Sequence, residues 1–158
     1  MSVRAESPAR PSGTATTAGL ARVRRVSLVT LVLVVVEYGI GMYVNLYSTV
    51  PRADHDHGVG TAITNGPAML SIHAVLGLLL GLGALGVLWY AIRSRRPAVI
   101  AWSAVGLVAL AGAAAAGAGF TSSGDRAGSM TMSVLTGVAL LCYVANIYLV
   151  HPPSPRGG

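Results

Sequence analysis

Two ionisable residues, Glu37 and His73, lie inside long apolar stretches of this sequence. An ionisable side chain in the hydrocarbon core of a bilayer is costly, so it often marks a functional position. Counting the rise of each helix from its outer end puts His73 roughly 7 Å and Glu37 about 15 Å below the membrane boundary. This difference in depth predicts that the two side chains meet only through helix tilt or an intervening water molecule.

Glu37 shares one face of its predicted helix with Gly41 and Asn45, which follow it at intervals of four residues. Such a stripe of polar and small residues is expected to face other helices and not lipid. No arginine occurs at the depth of Glu37, so desolvation favours a neutral carboxyl group that donates to a hydroxyl such as that of Thr136. Glu37 is therefore either a packing residue or a proton-relay or cation site.

His73 precedes Gly77 and Gly81 at successive helical turns, which leaves a groove without side chains beside an imidazole. This groove suits either a neighbouring helix or a flat cofactor. Met130 and Met132 lie at nearly the same depth as His73, so a b-type haem with histidine and methionine ligands is one hypothesis. Close helix packing at the glycines is the favoured alternative.

A second group of potential ligands lies on the same side of the membrane. His55 and His57 occur in an acidic loop, and His73, Met130 and Met132 complete a set of imidazole and thioether groups. Imidazole accepts Cu(II) and thioether favours Cu(I), so these five residues form a candidate copper site. The alternative is a solvated loop together with methionines that fill gaps between helices.

Four apolar segments must position these residues: 26–47, 68–92, 99–120 and 129–150. The chain has 158 residues, of which 53% are hydrophobic and 10% are charged. A bilayer core of about 30 Å requires roughly 20 apolar residues in a helix, and each segment meets this requirement. We predict an all-α integral membrane protein, an antiparallel four-helix bundle in which the third span, rich in Ala and Gly, is packed among the others.

The arginines predict the orientation of the bundle, since positive charge is retained on the cytoplasmic side in short loops. Clusters precede the first span and follow the second, namely Arg22, Arg24, Arg25, Arg93, Arg95 and Arg96. We therefore expect both termini to be cytoplasmic in a multi-pass protein of the bacterial inner membrane. Residues 1–21 are predicted to be a disordered tail, 22–151 the membrane domain and 152–158 a second tail. A cleaved signal peptide at Arg24-Arg25 is disfavoured because no A-x-A site follows.

Several classes of function are disfavoured. The net charge of +6 comes from arginine clusters beside apolar segments and not from a continuous basic face, so we expect no nucleic-acid partner. No common soluble-enzyme motif is present, and the lone Cys142 permits no intrachain disulfide. We predict a non-enzymatic membrane subunit or accessory protein, in contact with lipid and with a membrane partner or a second copy. The alternatives are haem or copper handling through His73, and proton-linked transport involving Glu37.

Three motifs resemble a group of small four-span bacterial membrane proteins. They are Gly41-Met42-Tyr43-Val44-Asn45-Leu46-Tyr47 followed by Pro51, the segment from His73 to Gly77, and Ser129 to Met132. The resemblance covers most of residues 26–150. It implies the four-span architecture, and because the group has no assigned activity, it implies no catalytic residue.

The predicted topology can be tested by labelling with a membrane-impermeant thiol reagent. Single cysteines at positions 54–58, introduced in a Cys142→Ala background, should react in intact cells. Cysteines at positions 93–97 should react only after the membrane is permeabilised. The reverse pattern would contradict the topology derived from the arginines.

Overall fold

The structure is a computed structural model, and it describes residues 13–47, 60, 64–123 and 126–150. Four long helices make up almost all of this part of the chain: α1 is Gly13–Tyr47, α2 Ala68–Ser94, α3 Pro97–Ser123 and α4 Arg126–Leu149. Each is long and apolar enough to cross a membrane. The predicted all-α fold with four candidate spans is therefore confirmed.

The first helix is longer than the sequence suggested. It begins at Gly13, so residues 13–21 are helical where we predicted a disordered tail. The physical reason is that propagation from the apolar span fixes only one residue for each new hydrogen bond, so the helix continues through a segment in which Ala and Leu alternate with the weaker helix formers Gly and Thr. Residues 1–12 and 152–158, also predicted as tails, lie outside the described residues.

Only Arg95 and Arg96 separate α2 from α3. Arg95 has the left-handed backbone conformation, with φ of 54°, and its N–H donates to the Ile92 carbonyl at 3.1 Å. This arrangement ends α2 by the usual left-handed cap, although glycine is the common residue there. Pro97 then begins α3, at a position where the missing N–H costs no helical hydrogen bond. The short connection keeps the two helices adjacent.

The helices are packed in a ring in which α1 contacts α2, α2 contacts α3, α3 contacts α4 and α4 contacts α1. The interface between α3 and α4 is the most extensive, as expected from the Ala and Gly content of α3. One apolar cluster joins Val23 near the start of α1, Ala91 near the end of α2, Val99 near the start of α3 and Val150 just after α4. We call this the arginine end, because Arg95 and Arg96 lie there, and the opposite half the His73 half.

The bundle buries several polar side chains beside its apolar core, and its exterior is strongly apolar. Buried polar residues occur on three helices, and they are Ser27, Thr30, Glu37, Ser103, Thr121 and Asn146. Large apolar side chains such as Leu78, Val108 and Leu141 are about 70% exposed. An exterior this apolar is stable only against lipid or another apolar surface, so the fold is compatible with an integral membrane protein.

Candidate functional site

Glu37 and His73 are in direct contact. The Nδ1 atom of His73 lies 2.9 Å from Oε1 of Glu37. The sequence predicted a meeting only through helix tilt or water; the contact is direct, because the helices are in a register that places Glu37 beside Gly77 and His73 beside Gly41. The two α-carbons are therefore about one helical turn apart along the bundle, a distance of about 5.4 Å that the glutamate side chain spans.

Two glycines make room for this pair. A Cβ atom at Gly41 would lie 3.0 Å from Cε1 of His73, which is closer than such contacts normally come. A Cβ atom at Gly77 would lie 3.3 Å from Oε1 of Glu37. Each glycine thus faces the ionisable side chain of the other helix. Of the predicted close-packing pair Gly77 and Gly81, only Gly77 meets a neighbour. A Cβ atom at Gly81 would have no atom of another residue within 4 Å.

The geometry of the pair leaves hydrogen-bonding capacity unused. The ring N–H of His73 is not aligned with the carboxylate, so the 2.9 Å contact is an ion-pair distance and not a well-directed hydrogen bond. Among the described residues, Oε2 of Glu37 has no hydrogen-bond partner. Glu37 is only 8% exposed. A buried acceptor without a partner is costly, so this atom is a candidate for contact with a ligand, an ion or water.

A small cavity, which we call the polar pocket, adjoins the pair between α1 and α4. Its volume is about 40 Å³. The residues around it are mostly polar, and they include Glu37, Tyr38, Asn45, His73, Ser129, Ser133 and Thr136. A cavity of this size accommodates a water molecule or a small ion, since about 10–15 Å³ is sufficient for one water.

A much larger cavity, the apolar cleft, adjoins the same pair and is lined by residues of all four helices. Its volume is about 490 Å³. Glycine, alanine and leucine form most of its wall, including Gly77, Gly81, Leu107, Leu110, Ala114 and Gly117. Glu37 and His73 are the two ionisable residues on this wall. The pair lines both cavities, and the accessible wall of each is mostly apolar, which suits a mainly apolar ligand with one polar group.

Asn45, predicted to share the face of Glu37, also lies at the polar pocket. Its Oδ1 accepts a hydrogen bond from the Ser129 hydroxyl at 3.1 Å, which connects α1 to α4. Thr136, named from the sequence as a partner for Glu37, lines the same pocket but donates to the Met132 carbonyl at 2.8 Å. The predicted stripe on α1 therefore does face other helices.

The predicted haem and copper ligands are only partly brought together. Met132 lines both cavities with His73, and its sulfur packs against Gly117, where a Cβ would lie 3.1 Å away. Met130 is 72% exposed and lines neither cavity. His55 and His57 lie outside the described residues. Within the described ranges no three His, Cys, Asp or Glu side chains come together as a metal site, and metal binding stays a prediction.

Sequence reasoning missed a second polar layer toward the arginine end. The side-chain amide of Asn146 donates to the Ser103 hydroxyl at 3.0 Å, and both side chains are fully buried. The Tyr143 hydroxyl is also buried, without a hydrogen-bond partner among the described residues. Counting uncharged polar residues inside the spans, and not ionisable ones alone, would have identified Asn146. Cys142, next to Tyr143, is buried and free, in agreement with a packing role.

The close approach at Gly41 yields a matched pair of substitutions. In Gly41→Ala the new methyl group must displace the His73 ring, so we expect a loss of about 1–3 kcal/mol in the free energy of unfolding. In Gly39→Ala, where no atom lies within 4 Å, alanine should leave stability unchanged or slightly raised. Unfolding in mixed micelles of mild detergent and dodecyl sulfate measures both. Equal stability of the two variants would contradict the close contact.

Comparisons with protein-family models, with curated proteins and with solved structures find no match to this chain. The candidate site consists of the contact between Glu37 and His73, the two glycines that admit it and the two cavities that border it.

Proposed function

We propose that this chain is a multi-pass protein of the bacterial inner membrane, with antiparallel helices and both termini in the cytoplasm. The contacts support this topology. The end of α1 lies against the start of α2 through Gly41 and His73, and the start of α4 contacts the end of α1 through Ser129 and Asn45. The arginine clusters of the sequence favour a cytoplasmic arginine end.

The function that the geometry supports best is non-enzymatic binding of a small, mainly apolar molecule in the apolar cleft. The observation that carries this proposal is the buried pair of Glu37 and His73 on the wall of a cleft of about 490 Å³. An apolar wall binds the body of a ligand, and a few polar groups fix its orientation. A membrane-soluble molecule with one hydroxyl or amide group matches this combination.

The unpaired Oε2 of Glu37 indicates which polar group the ligand should carry. A carboxylate oxygen accepts hydrogen bonds, so a ligand hydroxyl or N–H that reaches it would satisfy a buried acceptor. A ligand that is purely hydrocarbon would leave that acceptor unsatisfied. We therefore expect selectivity for a donor-bearing ligand over a hydrocarbon of the same length.

A second candidate function, haem binding, is favoured by one observation. Nδ1 of His73 faces a carboxylate, which leaves Nε2 as the nitrogen available to a metal. Histidines that bind metals commonly have this carboxylate partner on the other ring nitrogen. The groove at Gly77 and Gly81 opens into the apolar cleft and so could receive a flat ring. Met132 lines the same cleft and would be the candidate for a second ligand.

Proton-linked transport and an accessory role in a larger complex are two further predicted functions. Proton-linked transport would use the pair of Glu37 and His73 as its proton-exchanging group, and it predicts coupled flux in liposomes. An accessory role in a larger complex predicts that a membrane partner or a second copy covers part of the apolar exterior.

Ligand binding in the cleft can be tested with two photoreactive probes, a diazirine-bearing medium-chain alcohol and a diazirine-bearing alkane of equal length. In lipid nanodiscs the alcohol should label the α3 segment 107–121 saturably and several-fold more than the alkane does. In Glu37→Leu the two probes should label this segment equally, because the hydrogen-bond acceptor is gone. Mass spectrometry of digested protein measures the labelling.

The glycines of α2 provide the control for this experiment. Gly81→Leu should fill the cleft and abolish saturable labelling by either probe, whereas Gly86→Leu, at an equally open glycine that does not line the cleft, should behave as the wild type. Equal labelling by alcohol and alkane in the wild-type protein would refute the proposed selectivity.

The haem hypothesis predicts a reduced-minus-oxidised optical difference band in protein purified in mild detergent from a haem-replete host. His73→Ala should abolish the band, and Met130→Leu should leave it unchanged because Met130 lies outside the cleft. Colourless wild-type protein that still binds the alcohol probe would exclude haem and retain ligand binding.

A further inference from the structure

The arginine end carries positive charge that no carboxylate of the described chain balances. All its arginines in the described ranges are exposed, and they are Arg22, Arg24, Arg25, Arg93, Arg95 and Arg96. Within those ranges Glu37 is the one acidic residue, and it is buried beside His73 in the other half of the bundle. Six exposed guanidinium groups without a carboxylate nearby attract an anionic partner.

These arginines lie at nearly one depth along the bundle. Val23 of α1 and Ala91 of α2 pack in the same buried cluster, so they are at similar heights. Counted from these two residues at 1.5 Å for each residue, the arginines occupy a band about 10 Å deep. The headgroup layer on each side of a bilayer is about 5–7 Å thick, and the long arginine side chain extends its reach. One band of arginines can therefore contact one layer of lipid phosphates.

The ring order of the helices places this charge on one side of the bundle. The helix α1 contacts α2 and α4 but not α3, so α1 and α2 form one side and α3 and α4 the other. Three of the arginines belong to α1, Arg93 belongs to α2, and Arg95 and Arg96 directly follow α2. In the described residues neither α3 nor α4 carries an arginine at this end. We call the surface formed by the six arginines the basic face.

Trp89 adds an apolar contact to the basic face. Cζ of Arg93 lies 4.8 Å from the centre of the Trp89 ring, a cation–π arrangement that orients the guanidinium group. Trp89 itself is 57% exposed. An aromatic ring with this mixed character is typical of the boundary between headgroups and acyl chains. Arg93 keeps its full charge in this contact, and its planar fork is suited to bidentate hydrogen bonds with a phosphate.

We propose that the basic face binds anionic phospholipids in preference to zwitterionic ones, with the phosphate on the arginines and the acyl chains against α1 and α2. The charge of the face complements a headgroup of net negative charge, whereas a choline headgroup carries its own cation beside the phosphate. This inference goes beyond ligand binding in the apolar cleft, and it requires only that the chain span a membrane.

The chain has two tryptophans, which report on the two sides of the bundle. Trp89 lies on α2 and Trp102 on α3, both are exposed, and each is two or three residues inward of the buried cluster. Brominated acyl chains quench a tryptophan that they touch. In vesicles of unbrominated phosphatidylcholine, the Trp102→Phe protein should be quenched at a several-fold lower mole fraction of brominated phosphatidylglycerol than of brominated phosphatidylcholine. In Trp89→Phe the two brominated lipids should quench Trp102 alike.

Substitutions in the Trp102→Phe background assign the preference to the basic face. Arg93→Gln should reduce the ratio between the two lipids by up to about fivefold, and Arg93→Lys should retain most of it because the charge remains. Arg126→Gln is the matched control, since it removes one exposed arginine at the other end of the bundle and should leave the ratio unchanged. The ratio between lipids cancels any change in the emission of Trp89 when Arg93 is replaced.

Equal quenching of Trp89 by the two brominated lipids overturns the inference. An equal preference at Trp89 and Trp102, or an equal effect of Arg93→Gln and Arg126→Gln, overturns the assignment to the basic face. Failure of either lipid to quench either tryptophan overturns both the inference and the membrane topology that it requires. Selective labelling by the alcohol probe does not involve these arginines, so the proposed ligand binding stands or fails separately.

Discussion

The interaction on which the rest of the structure depends is the close approach of α1 and α2 around Glu37 and His73. A carboxylate and an imidazole can be buried together in an apolar bundle only if each compensates the other, and this requires the two helices to be near and in register. Gly41 and Gly77 provide that proximity because neither has a side chain to hold the helices apart. The polar pocket and the apolar cleft both border this contact.

Most of the fold could be predicted from the sequence, since the number, length and approximate ends of the four helices follow from apolar segments that match the bilayer thickness. The extension of α1 to Gly13 could not be predicted, because the point at which a helix ends beyond its span depends on small differences in the helix propensities of single residues. The sequence also identified Glu37 and His73 as ionisable residues inside the spans. It did not predict their direct contact, because depths counted from helix ends do not determine the register between neighbouring helices.

The glycines of α2 and α3 have different surroundings in the bundle. On α3, Gly106, Gly112 and Gly117 each meet a side chain of α4, and that interface is the most extensive in the bundle. On α2, Gly81 faces the apolar cleft and meets nothing. Small residues thus serve close packing at one interface and leave open space at another, which a sequence pattern of spaced glycines cannot distinguish.

The two-residue connection at Arg95 and Arg96 has a mechanical consequence for the apolar cleft. Arg96 also donates to the Leu149 carbonyl at 3.3 Å, which ties the end of α4 to this connection. The cleft lies toward the opposite half of the bundle, so the direct link between α2 and α3 is at the end away from it, while beside the cleft α3 is joined by a short link to α4 and not to α2. A separation of α2 from α3 at the cleft would therefore pivot about the arginine end.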